Sequence, residues 1–364
     1  DIADGFYVGS TTTVANASYV DSIGNALFVV DASNGSLVWK AVRTGDNSLD
    51  TVYVNANLKD SIPSDTTPTD DDGDGIIDHV YVGDTGGVVW RADLVGNNRS
   101  TWTIKRILSV GRHVDGEPDR RFFHRPDIVP AFDSDSDGAK IPFNGVLIGS
   151  GNRADPKNVY DGDFEDEKDL FIMLKDREVV GVGDILDYTL PATLDNLADL
   201  TTTTASTSYV ASATAIASGV VSVYDDCSST CTSYDNLRKH GWYIELEGEG
   251  EKMLSTSITY LGNAFFSTYL PFGSDDSGVC APIEGDANSY AIRLEDASPI
   301  FNFDGTGGND RSVITGKGIP SDPIIISKDG NIYLSPGNLP TTPEFRDPFD
   351  SNRLRKTYWY ELEE

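Results

Sequence analysis

The densest run of ligand-type residues in the sequence is Asp70-Asp71-Asp72-Gly73-Asp74-Gly75-Ile76-Ile77-Asp78. Calcium loops place oxygen donors at alternating positions around a glycine turn. Here Asp70, Asp72 and Asp74 fill positions one, three and five, and Gly75 supplies the turn at six. The Ile76 carbonyl serves seven, and Asp78 fills nine directly or through water. Alternation turns these donors toward one centre and their neighbours away, so Asp71 is expected to point outward. Calcium accepts many hard oxygen ligands, whereas magnesium demands a stricter octahedron and keeps more water. Without a cation or solvent between them, the carboxylates would repel. Position twelve is Tyr81 rather than a bidentate glutamate, so a strand, not a helix, is expected after the loop. The expected metal ligands are therefore Asp70, Asp72, Asp74, Ile76 and Asp78, and the expected ion is Ca2+.

Other chemistry is sparse. Asp133-Ser134-Asp135-Ser136-Asp137-Gly138 repeats the first half of the loop but reaches Ile141 where the next carboxylate should stand, so it reads as an ordinary hairpin turn. The four histidines have no metal-ligand partner at a persuasive spacing, and no Gly-x-Ser-x-Gly element accompanies a histidine and an acid. Arg120-Arg121-Phe122-Phe123-His124-Arg125 reads as arginines that neutralise acidic neighbours and anchor loops. No catalytic residue and no organic cofactor is assigned, and the chain is read as a non-enzyme.

The elements that must hold the acidic loop read as strands. Ala26-Leu27-Phe28-Val29-Val30-Asp31, the turn Ala32-Ser33-Asn34-Gly35 and Leu37-Val38-Trp39-Lys40 form a hairpin signal, with Asn-Gly supplying residues that tolerate positive φ. The arrangement returns at Val80-Tyr81-Val82-Gly83-Asp84, Thr85-Gly86-Gly87 and Val88-Val89-Trp90-Arg91. Both copies end on a tryptophan followed by a basic residue. Looser copies follow at Leu170–Leu174 with a charged turn at Lys175-Asp176-Arg177, at Trp242–Leu246, at Ser289–Leu294, and at Pro323–Ser327 with Asn331–Leu334. Such recurrence is what a radial repeat of small sheets produces. The expected fold is all-β, a modified or partial β-propeller of antiparallel blades with insertions. Residues 1–364 are expected to form a single propeller domain, with a low-complexity insertion or linker over 187–235. Trp39 and Trp90 are expected to be buried at related blade positions. Cys227 and Cys231, flanking a turn-forming interval, are the favoured disulfide pair, with Cys280 apart.

Composition sets the outer bounds. The chain has 364 residues, with 58 acidic against 28 basic side chains and a formal charge of -30. That field repels phosphate backbones and anionic headgroups, which disfavours nucleic acid and electrostatic membrane association and suits cations or basic partners. A halophilic or marine habitat would give the same bias with no site attached. No apolar run of about 20 residues is present to form a transmembrane segment.

The loop followed at once by Tyr81-Val82-Gly83-Asp84-Thr85-Gly86-Gly87-Val88-Val89-Trp90-Arg91-Ala92-Asp93-Leu94 resembles the C-terminal propeller of the PilY family of type IV pilus tip-associated proteins. Three later stretches continue the resemblance in order: Arg125–Pro130 leading to Gly149-Ser150-Gly151-Asn152-Arg153; Gly241–Leu246 with Gly250-Glu251-Lys252; and Phe265–Pro271 ahead of Cys280. The resemblance implies a calcium site in one blade, an extracellular location at the cell surface and pilus tip, and a non-enzymatic role in pilus assembly, extension and adhesion. Implied partners are minor pilins or other tip components, and a host or abiotic surface. It also implies upstream blades that this sequence lacks. Two alternatives remain at this point: a quinoprotein-type propeller oxidoreductase, which the hairpin from Val29 to Trp39 also resembles, and a calcium-stabilised surface or matrix module unrelated to pili.

Overall fold

The computed structural model describes residues 20–114, 117–134, 140–157, 168–178, 191–201, 240–271, 284–303, 305–306, 310–328 and 331–335. The three cysteines and most of the 187–235 segment lie outside them, as do Val179–Val182. Within the described part of that segment, a short 3-10 turn at Leu194–Asn196 leads to a two-residue strand.

The described chain is β-strand organised in successive sheets. The first contains β1 (Ala26–Val30), β2 (Leu37–Val42) and β3 (Val52–Val54). The second runs β4 (Thr67–Thr69), β5 (His79–Gly83), β6 (Val88–Asp93) and β7 (Thr103–Ser109), in chain order. The third is built on β8 (Asp127–Ser134), β9 (Lys140–Gly149) and β10 (Leu170–Asp176), and is extended by β11 (Ala198–Asp199) and β12 (Gly241–Glu245) in the order β11-β12-β10-β9-β8. The fourth has β13 (Lys252–Met253), β14 (Ile258–Tyr260), β15 (Asn263–Leu270), β16 (Asp286–Arg293) and β17 (Ser312–Lys317). A last hairpin pairs β18 (Ile324–Lys328) with β19 (Asn331–Ser335).

Strand alternation explains how the sheets stack, because successive side chains point to opposite faces. Val82, Val88, Trp90 and Ala92 of the second sheet join Leu27, Trp39 and Ala41 of the first in one buried cluster. Tyr81 and Val89, on the opposite face, join Val146, Ile148, Leu170, Ile172 and Leu174 of the third sheet. Phe171 and Met173, interleaved with those residues on β10, face the fourth sheet through Phe266, Tyr290 and Ile292. Sheets buried on both faces require near-continuous apolar strands, which is why Leu170–Leu174 reads as an unbroken run. This sheet-upon-sheet order, not closed into a barrel, is a modified, partial propeller.

The paired tryptophans occupy related places. Trp39 lies opposite Val29 and Trp90 opposite Val82, each partner two residues before the turn aspartate. Both indoles are buried, and Trp90 Nε1 donates to Asp84 Oδ2 at 2.7 Å. One expectation fails: Lys175 and Asp176 are not turn residues but the end of β10, paired with Gly145 and Asn144. Their charges are tolerated in a buried strand because each is met by an opposite charge: Lys175 by Asp133, and Asp176 by Arg91.

Candidate functional site

The acidic loop spans β4 and β5, whose last cross-strand pair is Thr69 with His79. Asp78 N–H donates to the Thr69 carbonyl at 2.9 Å, so the ladder brings the two ends of the loop together. Inside, the Asp70 carboxylate accepts the N–H groups of Gly73 at 2.7 Å, Asp74 at 3.2 Å and Gly75 at 2.8 Å. Asp72 accepts Asp74 N–H at 3.0 Å. Gly73 and Gly75 adopt φ of 76° and 86°, a left-handed backbone that a Cβ disfavours. Folding the loop around Asp70 thus consumes its backbone donors and leaves carboxylate oxygens convergent.

Asp70, Asp72 and Asp78 each offer an oxygen within 4.8 Å of the other two. Two oxygens bound to one cation at about 2.4 Å can be no more than about 4.8 Å apart, so the three can share one ion. The donors are hard and anionic. Asp72 is exposed and Asp78 buried, so the cluster opens to solvent on one side. Asp74 stands outside this group of three, its Oδ1 accepting Ile76 N–H at 2.7 Å.

Asp71 departs from the expectation. Its carboxylate does turn away from the cluster, but into the protein rather than toward water: the side chain is 2% exposed. Oδ1 accepts from Asn144 Nδ2 at 3.0 Å, and Oδ2 lies 3.2 Å from His79 Nε2. The other ring nitrogen of His79 lies 3.0 Å from Asp93 Oδ1. Burial opposes a charge on the imidazole, but the two flanking carboxylates outweigh it and raise its pKa to about 9, so the ring is cationic at neutral pH. Burial likewise would raise the Asp71 pKa, and contacts from His79 and Asn144 hold it below the ordinary value.

The polar contacts continue inward. Tyr81 OH accepts from Asn144 Nδ2 at 3.3 Å and donates to Asp176 Oδ2 at 2.9 Å. Arg91 Nη1 donates to both oxygens of Asp176, at 2.6 and 2.7 Å, and Arg91 Nε to Asp93 Oδ1 at 2.6 Å. Asn144, Tyr81, Asp176 and Arg91 are all buried. In the sequence Tyr81 and Arg91 stand out only as strand residues of the repeat, Asp176 reads as a turn residue, and Asn144 carries no motif.

The remaining readings resolve simply. Asp133 is held by Lys175 Nζ at 3.0 Å and by Arg177 Nη2, and β8 and β9 pair as far as Ser134 with Lys140; the rest of that acidic stretch, Asp135-Ser136-Asp137-Gly138, lies outside the described residues. Arg120 is buried, donates to the carbonyls of Lys168 and Val110 and pairs with Glu117; Arg121 pairs with Asp119. These arginines anchor acidic and carbonyl-rich loops.

Fold and loop together define the class: a modified propeller that carries an acidic, metal-competent loop between the first two strands of one blade. No family model matches the chain. By sequence it is 25% identical over 287 residues to the type IV pilus biogenesis factor PilY1 homolog of Xylella fastidiosa, a match covering 72% of this chain and 16% of that protein. The crystal structure of the Pseudomonas aeruginosa PilY1 C-terminal domain shares its fold, with a TM-score of 0.53 at 15% identity over 89% of this chain and 67% of that one. The chain is thus similar in sequence to a PilY1 homolog, shares the fold of a PilY1 C-terminal domain, and spans about a sixth of the length of the Xylella relative. Among the described residues, no helix is long and apolar enough to cross a membrane.

Proposed function

We propose that the chain is a non-enzymatic, calcium-binding module of a type IV pilus tip-associated protein, acting outside the cell in pilus assembly and extension and in adhesion to surfaces. The observation that carries the calcium part is the convergence of Asp70, Asp72 and Asp78 around a loop whose N–H groups are already committed. Asp74, the Ile76 carbonyl and water complete the oxygen set when the ion binds. Support for the pilus part is the sequence relationship to a type IV pilus biogenesis factor. Its partners on this reading are minor pilins or other tip components, together with a host or abiotic surface.

Calcium acts first through linkage. An ion held by the folded loop and not by the unfolded chain stabilises the fold by about 2.7 kcal/mol at a hundredfold excess over its dissociation constant. It also cancels repulsion among carboxylates that sit beside the strand beginning at His79. The test is complementation: a pilus-bearing cell whose own copy carries Asp70→Ala and Asp78→Ala should lose surface pili or surface attachment while the protein is still exported. Normal piliation and attachment by that strain would contradict the proposal.

A further inference from the structure

The face of the loop opposite the carboxylate cluster is fastened to a different sheet. Asp71 stands between two members of the cluster, Asp70 and Asp72, and its own N–H donates to the third, Asp78 Oδ2, at 2.8 Å. A displacement of Asp71 therefore moves all three carboxylates at once. One Asp71 oxygen is held within the loop's own sheet by His79, and the other is tied to the third sheet by the hydrogen bond from Asn144, 73 residues away on β9. Asn144 is in turn fixed by Tyr81 of the second sheet and by its place opposite Asp176 in the β9–β10 ladder. Asn144 is buried and the Asp71 side chain is almost fully covered, surroundings in which a hydrogen bond is strong and an orphaned partner costly.

We propose that the Asp71–Asn144 hydrogen bond is a positioning bridge that couples calcium binding in the loop to the packing of the second sheet against the third. The inference rests on the calcium reading above and adds where the ion's effect goes. Coupling of this kind is reciprocal: whatever Asn144 contributes to holding the loop for calcium, calcium returns as stiffness in the sheet that carries Asn144. Asp71 and Asn144 are positioning residues and touch no ion. A calcium loop set in a lone hairpin would report occupancy only to its own strands; this one reports to the neighbouring blade.

The test combines calcium calorimetry with hydrogen exchange on this chain. Asn144→Ala should weaken calcium binding about tenfold, and Tyr81→Phe, a milder change that keeps the ring, two- to threefold. Tyr290→Phe, which removes a buried hydrogen bond to Glu251 in the fourth sheet, controls for general loss of stability and should leave the affinity within twofold of wild type. Adding calcium to the wild type should slow exchange of the 141–149 backbone at least threefold, and the slowing should vanish in Asn144→Ala. Should that variant fail to fold, the Tyr81→Phe affinity and the wild-type exchange experiment still decide. Wild-type affinity in Tyr81→Phe and Asn144→Ala, or calcium-dependent protection confined to residues 70–78, overturns the bridge and leaves the calcium site standing. A wild-type chain that takes up no calcium at millimolar concentration overturns the calcium reading itself.

Discussion

Two aspartate-rich stretches of similar composition differ in how the carboxylates described in each meet their charge. At Asp133 the protein supplies the cations itself: Lys175 and Arg177 arrive from β10 and its end, and the carboxylate is spent. At Asp70, Asp72 and Asp78 no side-chain cation enters the cluster among the described contacts; backbone N–H groups orient the carboxylates and leave their convergence open. Within that same loop, Asp71 follows the first pattern, paired with His79. Acidic composition thus does not decide between a salt bridge and an ion site. What decides is whether the fold brings a basic side chain to the carboxylate.

The largest effect that would sharpen this contrast is on binding. Asp78→Ala removes the buried member of the group of three, which also holds the Asp71 amide, and should weaken calcium affinity at least a hundredfold in a calorimetric titration. Asp74→Ala, outside the group of three, should lose less than Asp78→Ala; the reverse order would break the geometric account. Asp71→Ala is not expected to be silent, because it leaves Asn144 and His79 without that carboxylate.

Next is stability at the other stretch. Asp133→Asn withdraws the carboxylate facing Lys175, whose pKa burial already pushes down, and should cost on the order of 3 kcal/mol in denaturant unfolding. Its calcium affinity should stay at the wild-type value. An altered affinity would mean that the two stretches are not independent.

A test that needs only a pH series concerns a third kind of aspartate, Asp84, which is met neither by a side-chain cation nor by solvent. It accepts from Gly86 N–H, Val88 N–H and Trp90 Nε1, while burial, helped by the charge of Asp60, raises its pKa to about 7. A folded pKa above the unfolded one means that the native state binds its proton more tightly. The resulting stability is full below about pH 4 and is lost as pH rises through about 7. Measured between pH 4 and 8, the stability of Asp84→Asn relative to wild type should therefore rise with pH. A difference independent of pH would contradict the raised pKa.

Much of this was legible in the chain. Alternating carboxylates around Gly75 marked the loop, and the two hairpins ending on Trp39 and Trp90 marked the blades, because both signals are local: periodicity two, a glycine at positive φ, an apolar run. What could not be read depended on partners far along the chain. The spacing correctly turned Asp71 away from the cluster, yet whether that direction leads to water or to protein depends on Asn144, which no local pattern announces. Lys175 and Asp176 looked like a turn because charged residues usually are exposed; they continue a buried strand since Asp133, two strands away in the same sheet, and Arg91, on the neighbouring sheet, meet their charges. Sequence pattern supplies faces and turns, while the pairing of buried charges is a property of the assembled sheets.

The most direct measurement of the central claim is a calorimetric calcium titration of the wild-type chain beside Asp70→Ala/Asp78→Ala, with thermal unfolding of both in calcium and in chelator. The account predicts one ion bound per wild-type chain, a higher unfolding temperature in calcium, and neither effect in the double variant. Equal binding by the two proteins, or no heat from the wild type at millimolar calcium, would contradict it.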